Sequence, residues 1–492
     1  MWRTYVILVL IGLLLVSTGG DVLLLRQMVS SQAEMDRLRA RARNAEDQAA
    51  GLQSRVNELA AAPTPASGAA TPASGAGTPA SGAAAAPTPG VAAPTVTPGS
   101  AASTAGPDRA LLQRIEDQVS RLRGLRPKAE VPLRFLDHDA LQHYFIQNFN
   151  KDYLPAERES DQKLLATLGL VNQNDNVVQI LQDLLVEQVI GVYNEDEKVM
   201  YIVGDTGQFG PDERDTFAHE FTHALQDQYF DLNRLSPKHP DNDDRALAIQ
   251  ALVEGDAVLI QRLWAQQNLS ADEQAQLGQG GSDSKLFSTP AFIRQQLLFP
   301  YGDGFNFVRQ MYQTNGGSTG VDDVFRNPPE STEQVLHPDK YRAHEKPVEV
   351  SLPDLPHALG AGWRQLHSSV FGELDLRLLL EQYTDPTRAA RGAAGWGGDR
   401  WVLLEKDGRQ AVVLKTVWDT DNDARKFFDT YALALRNRFT TAKQEESSAS
   451  RQALTATTAA TELRRDGQSV LAVISFDRPS AEAIVAAVSP SS

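Results

Sequence analysis

The stretch that decides the fold reads TFAHEFTHAL at residues 216–225. It carries two histidines four positions apart, and side chains at this spacing lie on the same face of an α-helix, so both imidazoles can bind one metal ion. Glu220 follows the first histidine and can reach a water held by that ion. The motif has apolar neighbours, and Pro211 after Gly210 is typical of a helix start. The sequence predicts a buried metal-binding helix; the alternative is an exposed amphipathic helix with two incidental histidines.

A second apolar helical pattern contains the candidates for a third ligand. Glu254 and Asp256 lie in ALVEGDA, residues 251–257. A carboxylate in so apolar a helix needs a partner, because burying an unpaired charge is costly. Residues i and i+2 of an α-helix are rotated about 200° from each other around the helix axis, so the carboxylates of Glu254 and Asp256 cannot both face the same ion. We assign Glu254 as the ligand and keep Asp256 as the alternative. Otherwise Asp256 is a group outside the coordination sphere, or an exposed or capping aspartate beside Gly255.

Two histidines and one carboxylate leave the fourth zinc position open, which is typical of a catalytic site. Zinc lowers the pKa of its water, and Glu220 would accept the proton as the water attacks a carbonyl. Asp227, one turn beyond the second histidine, is a candidate to orient a ligand histidine, or else a solvated charge. The developing oxyanion needs a donor. His337 is the tentative candidate, and its alternative role is to anchor a loop.

The motif, followed by a glutamate on a separate helix, resembles the gluzincin metallopeptidases. HEFTHALQDQ at 219–228 and the 251–257 run are similar to an uncharacterised group of bacterial exported gluzincin-like proteins, and the similarity extends from about residue 124 to residue 423. The resemblance implies Zn²⁺ as cofactor and Glu220 as general base. It implies three zinc ligands: His219, His223 and Glu254.

One departure from thermolysin-type enzymes concerns the groups around the zinc. Those enzymes carry an aspartate four residues after the ligand glutamate, and this chain has Val258 there. A carboxylate that orients a histidine must therefore come from elsewhere. Residues 191–193 and 199–203 predict a β-hairpin before the metal helix. By resemblance, its edge strand pairs with the substrate backbone; otherwise it is a structural hairpin.

Residues 1–25 are interpreted as a signal anchor or a signal peptide. An apolar run at 5–16 follows Arg3, and the small residues after it suit cleavage. With the apolar patch after Asp21, the segment is long enough to span a bilayer. We favour a retained anchor in a bacterial cell membrane, single-pass with the catalytic domain outside; cleavage would give a secreted protein. The chain contains no cysteine, so disulfides are excluded.

Residues 26–60 follow a heptad pattern that predicts a coiled coil and a homo-oligomer. The alternative is a single solvated helix. Residues 61–107 are an Ala/Pro/Thr/Ser/Gly tract that cannot bury a core and is interpreted as a disordered linker.

The rest of the chain predicts an α+β fold. Residues 108–345 are expected to form a mainly helical, zincin-like catalytic domain with a small sheet before the metal helix. Residues 346–492 are expected to form a small α+β module. Its strands are predicted at 400–405, 410–418 and 468–476, and its helices at 421–439 and 480–488.

The net charge of −16 and the lack of a basic stripe with interleaved aromatics disfavour nucleic-acid binding. The favoured function is zinc-dependent hydrolysis of peptide bonds by a cell-envelope metallopeptidase acting on a protein or peptide. A catalytically inactive zinc-binding scaffold and a non-peptidase zinc hydrolase are the alternatives. The presence of Glu220 favours an enzyme, because a scaffold needs no general base.

Overall fold

The computed structural model describes five stretches of the chain, which are 109–187, 191–203, 209–238, 240–277 and 285–488. These stretches belong to one compact unit. The predicted anchor, coiled coil and linker lie outside the described residues. Within the described stretches, no helix is both long and apolar enough to cross a membrane.

The fold is α+β. Up to residue 268 the described elements are α1 (Arg109–Arg123), β1 (Leu133–Leu136), α2 (His138–Asp152), α3 (Pro155–Leu168), α4 (Val177–Glu187), β2 (Gly191–Asn194), β3 (Val199–Val203), α5 (Pro211–Phe230), α6 (Leu232–Leu235) and α7 (Asp243–Asn268). The next stretch holds α8 (Ala271–Gln276), α9 (Lys285–Ser288), α10 (Ala291–Phe299), a π-helix (Pro300–Gly304), α11 (Phe305–Thr314), α12 (Ser318–Arg326), α13 (Thr332–Leu336), α14 (Pro338–Arg342) and α15 (Leu355–Leu359).

The last part carries most of the strands. Its elements are β4 (Arg364–Ser369), α16 (Gly372–Glu381), α17 (Pro386–Ala393), β5 (Trp396–Lys406), β6 (Arg409–Trp418), α18 (Asp421–Arg438), β7 (Lys443–Ser447), β8 (Arg451–Thr455), β9 (Ala460–Asp466), β10 (Ser469–Ser475) and α19 (Arg478–Val488).

Two helices at the centre of the fold, α5 and α7, pack against each other. α5 begins with Pro211 after Gly210, as predicted, and every residue from Asp215 to Asp227 is buried. α7 begins at the Asn242 cap, whose side chain accepts from the Arg245 N–H at 3.0 Å. Both helices are buried on nearly all sides, so their apolar residues are not confined to one face of the helix.

A small sheet lies beside α5, in the strand order β1-β3-β2. β2 and β3 are antiparallel, and β1 pairs with β3 in parallel. The predicted hairpin is therefore confirmed, and β2 lies at an edge of this sheet. α5 packs directly against β2, which sets the strand beside the histidine motif.

The C-terminal part contains a seven-stranded sheet in the order β4-β5-β6-β10-β9-β8-β7, antiparallel in every pairing. The three predicted strands and two predicted helices are present, and β5 and β6 join through Asp407 and Gly408. Both of these residues have positive φ, as a two-residue hairpin turn requires. α18 packs against one face of the sheet and α19 against the other. One hydrophobic core runs from Leu141 to Ile474 and so continues across the predicted boundary at residue 345.

Candidate metal centre

Three side chains of types that can bind a metal, contributed by two helices, meet in the interior. α5 presents His219 and His223 on one face, and α7 brings Glu254 against them. The two imidazole Nε2 atoms are 3.0 Å apart, and each lies 3.4 Å from Oε2 of Glu254. All three side chains are buried. The sequence-predicted ligand set is thus brought together in space.

The donor atoms fit a zinc ion. Ligands about 2.0–2.1 Å from a tetrahedral zinc lie roughly 3.3 Å from one another. The distances of 3.0 and 3.4 Å between these atoms match that spacing. Neither carboxylate oxygen of Glu254 accepts an aligned hydrogen bond from a described residue, and a buried carboxylate needs a partner. His219, His223 and Glu254 would hold the ion and leave a fourth position open.

Protons compete with a metal for this site. Burial raises the pKa of Glu254, but the His223 and His219 imidazoles outweigh burial and lower it to about 2. Burial lowers the pKa of His223, but the Glu254 carboxylate outweighs burial and raises it to about 9. A metal that takes the imidazole lone pair must displace this proton, so metal affinity falls as the pH falls.

Each ligand histidine faces a buried glutamine. Nδ1 of His219 lies 3.1 Å from Oε1 of Gln261, and Nδ1 of His223 lies 2.9 Å from Oε1 of Gln226. An amide oxygen can only accept a hydrogen bond, so Nδ1 of each ring must donate. In the neutral ring this leaves the lone pair on Nε2, directed at the other ligands.

The two glutamines are themselves fixed by further acceptors. Gln261 donates from Nε2 to Asp215 at 2.7 Å. Gln226 donates from Nε2 to the carbonyl of Val253 and to Asp256, both at 2.9 Å. A carbonyl oxygen or an ionised carboxylate can only accept a hydrogen bond, so these groups determine which way each amide faces. The imidazole orientation therefore depends on a second layer of buried carboxylates.

A buried arginine from α1 completes this layer. Arg123 donates from Nε to Asp256 at 2.8 Å and from Nη1 to Asp322 at 2.7 Å. Its guanidinium also lies within 6 Å of the ring centres of Phe230 and Phe325. Asp256 is therefore an ion-pair partner of Arg123 that supports the second histidine through its glutamine. Its carboxylate oxygens are not among the atoms of His219, His223 and Glu254 that converge.

Glu220 lies buried beside the ligands with one oxygen anchored. Its Oε2 accepts from the main-chain N–H of Tyr193 on β2 at 2.7 Å, and its Oε1 accepts no hydrogen bond from a described residue. Burial raises the pKa of Glu220, against the histidines and the Tyr193 N–H that lower it. A carboxylate with a raised pKa and one available oxygen is suited to accept a proton near neutral pH. The Tyr193 N–H donates to Glu220, so it cannot at the same time pair with the backbone of a substrate strand.

Tyr301, on the π-helix, is a further group at the site. Its buried hydroxyl makes no aligned hydrogen bond to a described residue. Burial, followed by the carboxylates of Glu254 and Glu220, raises its pKa, so the hydroxyl keeps its proton. The π-helix approaches α7 closely because glycines meet there: a Cβ on Gly255 would lie 2.4 Å from the carbonyl oxygen of Gly304.

Two other predicted site residues have their contacts elsewhere. Asp227 accepts from the Tyr193 hydroxyl at 2.7 Å and from Lys198 at 2.6 Å, and it bonds neither ligand histidine. His337 bonds Glu373, with Nε2 2.9 Å from a carboxylate oxygen. No contact in the described part of the chain joins His337 to the three ligands. Its role at the oxyanion stays a prediction, and Tyr301 is better placed.

A second acidic cluster in the described residues is already neutralised. Oxygens of Glu333, Glu345 and Asp419 come together, but Nζ of Lys340 lies 2.6–2.7 Å from all three. The lysine ammonium thus takes the position a cation would need.

Sequence reasoning missed the two glutamines, Asp215 and Tyr301. Helical spacing could have indicated three of them, because Asp215 precedes His219 by one turn, Gln226 follows the second histidine by three positions, and Gln261 follows the ligand glutamate by two turns. Tyr301 comes from a distant segment, and no spacing in the sequence relates it to the motif.

Comparisons with known proteins add little to this geometry. A domain of unknown function (DUF8575) matches residues 361–485, which exclude the three ligands. The crystal structure of a candidate hydrolase with a novel fold from Chloroflexus aurantiacus is similar over 48% of this chain and 89% of that chain, with 17% identity and a TM-score of 0.32. A search of curated proteins found no match. The function must therefore be argued from the site.

Proposed function

We propose that the chain is a zinc-dependent hydrolase of peptide bonds, with His219, His223 and Glu254 as ligands and Glu220 as general base. One observation carries the proposal: two imidazole Nε2 atoms and a buried carboxylate without an aligned hydrogen bond converge beside Glu220. When bound, a zinc ion supplies Lewis-acid polarisation of a carbonyl and lowers the pKa of a water.

Glu220 and Tyr301 supply the remaining catalytic groups. Glu220 keeps Oε2 on the Tyr193 N–H and accepts the proton of the attacking water on Oε1, as its contacts favour. Tyr301 donates its hydroxyl hydrogen to the oxyanion that develops on the substrate carbonyl. Both groups are buried, and in such surroundings hydrogen bonds to charge are stronger than in water.

The proposed setting is the bacterial cell envelope, with residues 1–25 as anchor or signal peptide and a protein or peptide as substrate. This part of the proposal is supported by the sequence pattern alone.

One observation favours a second candidate, a zinc-binding scaffold without turnover. His219, Glu220 and Glu254 are each at most 2% exposed, and a peptidase must admit a substrate to these groups. If the chain does not open, the site would hold zinc as a structural ion.

Zinc content and proteolysis of the full chain distinguish these functions. The enzyme is expected to contain one zinc, to cleave an unfolded test protein, to lose cleavage to a chelator and to regain it with zinc. Glu254→Gln should lose both zinc and cleavage. A zinc-loaded, folded chain that cleaves no member of a broad peptide library would support the scaffold and contradict the peptidase.

A further inference from the structure

A row of basic side chains crosses one face of the C-terminal sheet. The register places Arg400 opposite Lys415, Lys415 opposite Leu471, Leu471 opposite Arg464, and Arg464 opposite Arg451. Residues directly opposite each other on paired strands point to the same face. Five adjacent strands therefore carry this row, with two basic residues on each side of one leucine. We call these five residues the basic row.

A cavity of about 650 Å³ lies over four of the five residues of the basic row. These residues are far in sequence from His219 and His223. Lys415, Leu471, Arg464 and Arg451 all line it, and Val488 adds a second apolar side chain. This volume lies within the range of small-molecule sites. Four of its lining residues are basic and one is acidic, in a chain whose net charge is −16.

One buried carboxylate holds the arginines in place without neutralising them. Glu462 accepts from Arg451 at 2.7 Å, from Arg464 at 3.1 Å and from Arg478 at 3.1 Å. Nη1 of Arg451 also lies 3.8 Å from a carboxylate oxygen of Glu446, so two negative charges face three guanidiniums. The side chains of Arg451 and Arg464 are each 41% exposed, so they have donors left for a ligand.

The other end of the row is equally open to an anion. Among the described residues, Lys415 and Arg400 have no ion-pair partner, and both are partly exposed. Neighbouring strands are about 4.8 Å apart, so Lys415 and Arg464, on either side of Leu471, are separated by roughly 10 Å.

From this arrangement we propose that the C-terminal module binds a small organic dianion with an apolar middle. One carboxylate or phosphate group binds Arg464, next to Arg451, where planar guanidiniums offer paired donors. The second binds Lys415, roughly 10 Å away and next to Arg400, and the apolar middle covers Leu471. The proposal concerns a site apart from the metal centre and does not depend on zinc or on catalysis.

Calorimetric titration of the full chain with three probes tests the proposal. Nonanedioate has two carboxylates separated by a chain of suitable length, nonanoate has the same chain with one carboxylate, and inorganic phosphate has no apolar part. Hydrogen bonds to charged groups are worth about 1.5–3 kcal/mol, so nonanedioate should bind at least about tenfold more tightly than nonanoate and than phosphate.

Matched variants locate the binding. Lys415 forms no ion pair with a described residue, so Lys415→Gln leaves the ion pairs of the sheet in place. It should reduce nonanedioate affinity at least about fivefold without affecting nonanoate held at the arginine end. Arg464→Gln should weaken the binding of nonanedioate and of nonanoate. Lys426→Gln, on the exposed side of α18, should change neither affinity. The proposal would be overturned if nonanedioate and nonanoate bound with equal affinity, or if neither bound. It would also be overturned if Lys415→Gln and Arg464→Gln left the affinities unchanged.

Discussion

Two glutamine side chains lie between the Nδ1 atoms of the two histidines and the carboxylates of Asp215 and Asp256. Gln261 lies between His219 and Asp215, and Gln226 lies between His223 and Asp256. A neutral amide orients an imidazole without placing a full negative charge against it. The carboxylates act one residue further away, through the polarisation of each amide.

Removal of either glutamine should therefore weaken metal binding. We expect Gln226→Leu and Gln261→Leu to lower zinc affinity about 10- to 100-fold, because the imidazoles lose the acceptor that fixes them. Competition with a chromophoric chelator measures this. Gln250→Leu is the matched control, since Gln250 is also buried on α7 but its amide has no aligned hydrogen bond to a described residue. Unchanged affinity in both site variants would contradict the orienting role.

Asp215 should make stability depend on pH. Burial raises its pKa to about 7, against the Gln261 amide that lowers it, whereas the ordinary value is 3.8. Between these values the folded chain binds more protons than the unfolded chain, so the contribution of this group to stability is present at low pH and is lost as the pH rises through about 7.

Asp215→Asn cannot ionise, so its Tm should rise relative to that of wild type as the pH increases from 3.8 to about 7. The comparison is made by thermal unfolding in chelator, with the exposed Asp272→Asn as control. A Tm difference that stays constant across this window would show that Asp215 does not titrate there.

At the scale of residues, part of the candidate site could be predicted from the sequence and part could not. The convergence of His219, His223 and Glu254 could be predicted, because zinc chemistry limits the residue types and helical geometry fixes the histidine spacing. His337 was chosen by residue type alone, and the structure pairs it with Glu373. Tyr301 could not be predicted, since its place depends on how a distant π-helix meets α7.

At the scale of elements, the contact between α7 and the π-helix positions Tyr301. Gly255 and Gly304 allow the two backbones to approach. In the C-terminal sheet, β5, β6 and β10 were predictable from their apolar runs. β4, β7 and β9 were not, because their sequences RQLHSS, KQEES and ATELRRD are largely polar and become strands through pairing.

Gly255→Ala should disrupt this contact. The new Cβ would lie 2.4 Å from the carbonyl oxygen of Gly304, so the backbones must separate. We expect a loss of about 1–3 kcal/mol in the free energy of unfolding, measured with denaturant. Gly302→Ala, on the same π-helix, is the control, because its Cβ would meet no atom within 4 Å. Equal stability of the two variants would contradict the close approach.

At the scale of the whole molecule, the metal centre and the C-terminal sheet share one hydrophobic core. The α+β class was predictable from alternating patterns, but this continuity was not, because apolar periodicity does not tell which surfaces meet. The two proposed sites lie on separate parts of the chain. Each can be tested while the other stays intact.

The most direct test of the central claim is the turnover of Glu220→Gln. The substitution keeps the shape of the side chain and leaves the three ligands in place, but it removes the carboxylate that accepts a proton. General-base catalysis contributes a factor of about 10² to 10⁴, so cleavage of an unfolded protein by the full chain should fall at least about a hundredfold. Zinc content and Tm should stay nearly unchanged. A zinc-loaded Glu220→Gln chain that cleaves at the wild-type rate would contradict the account.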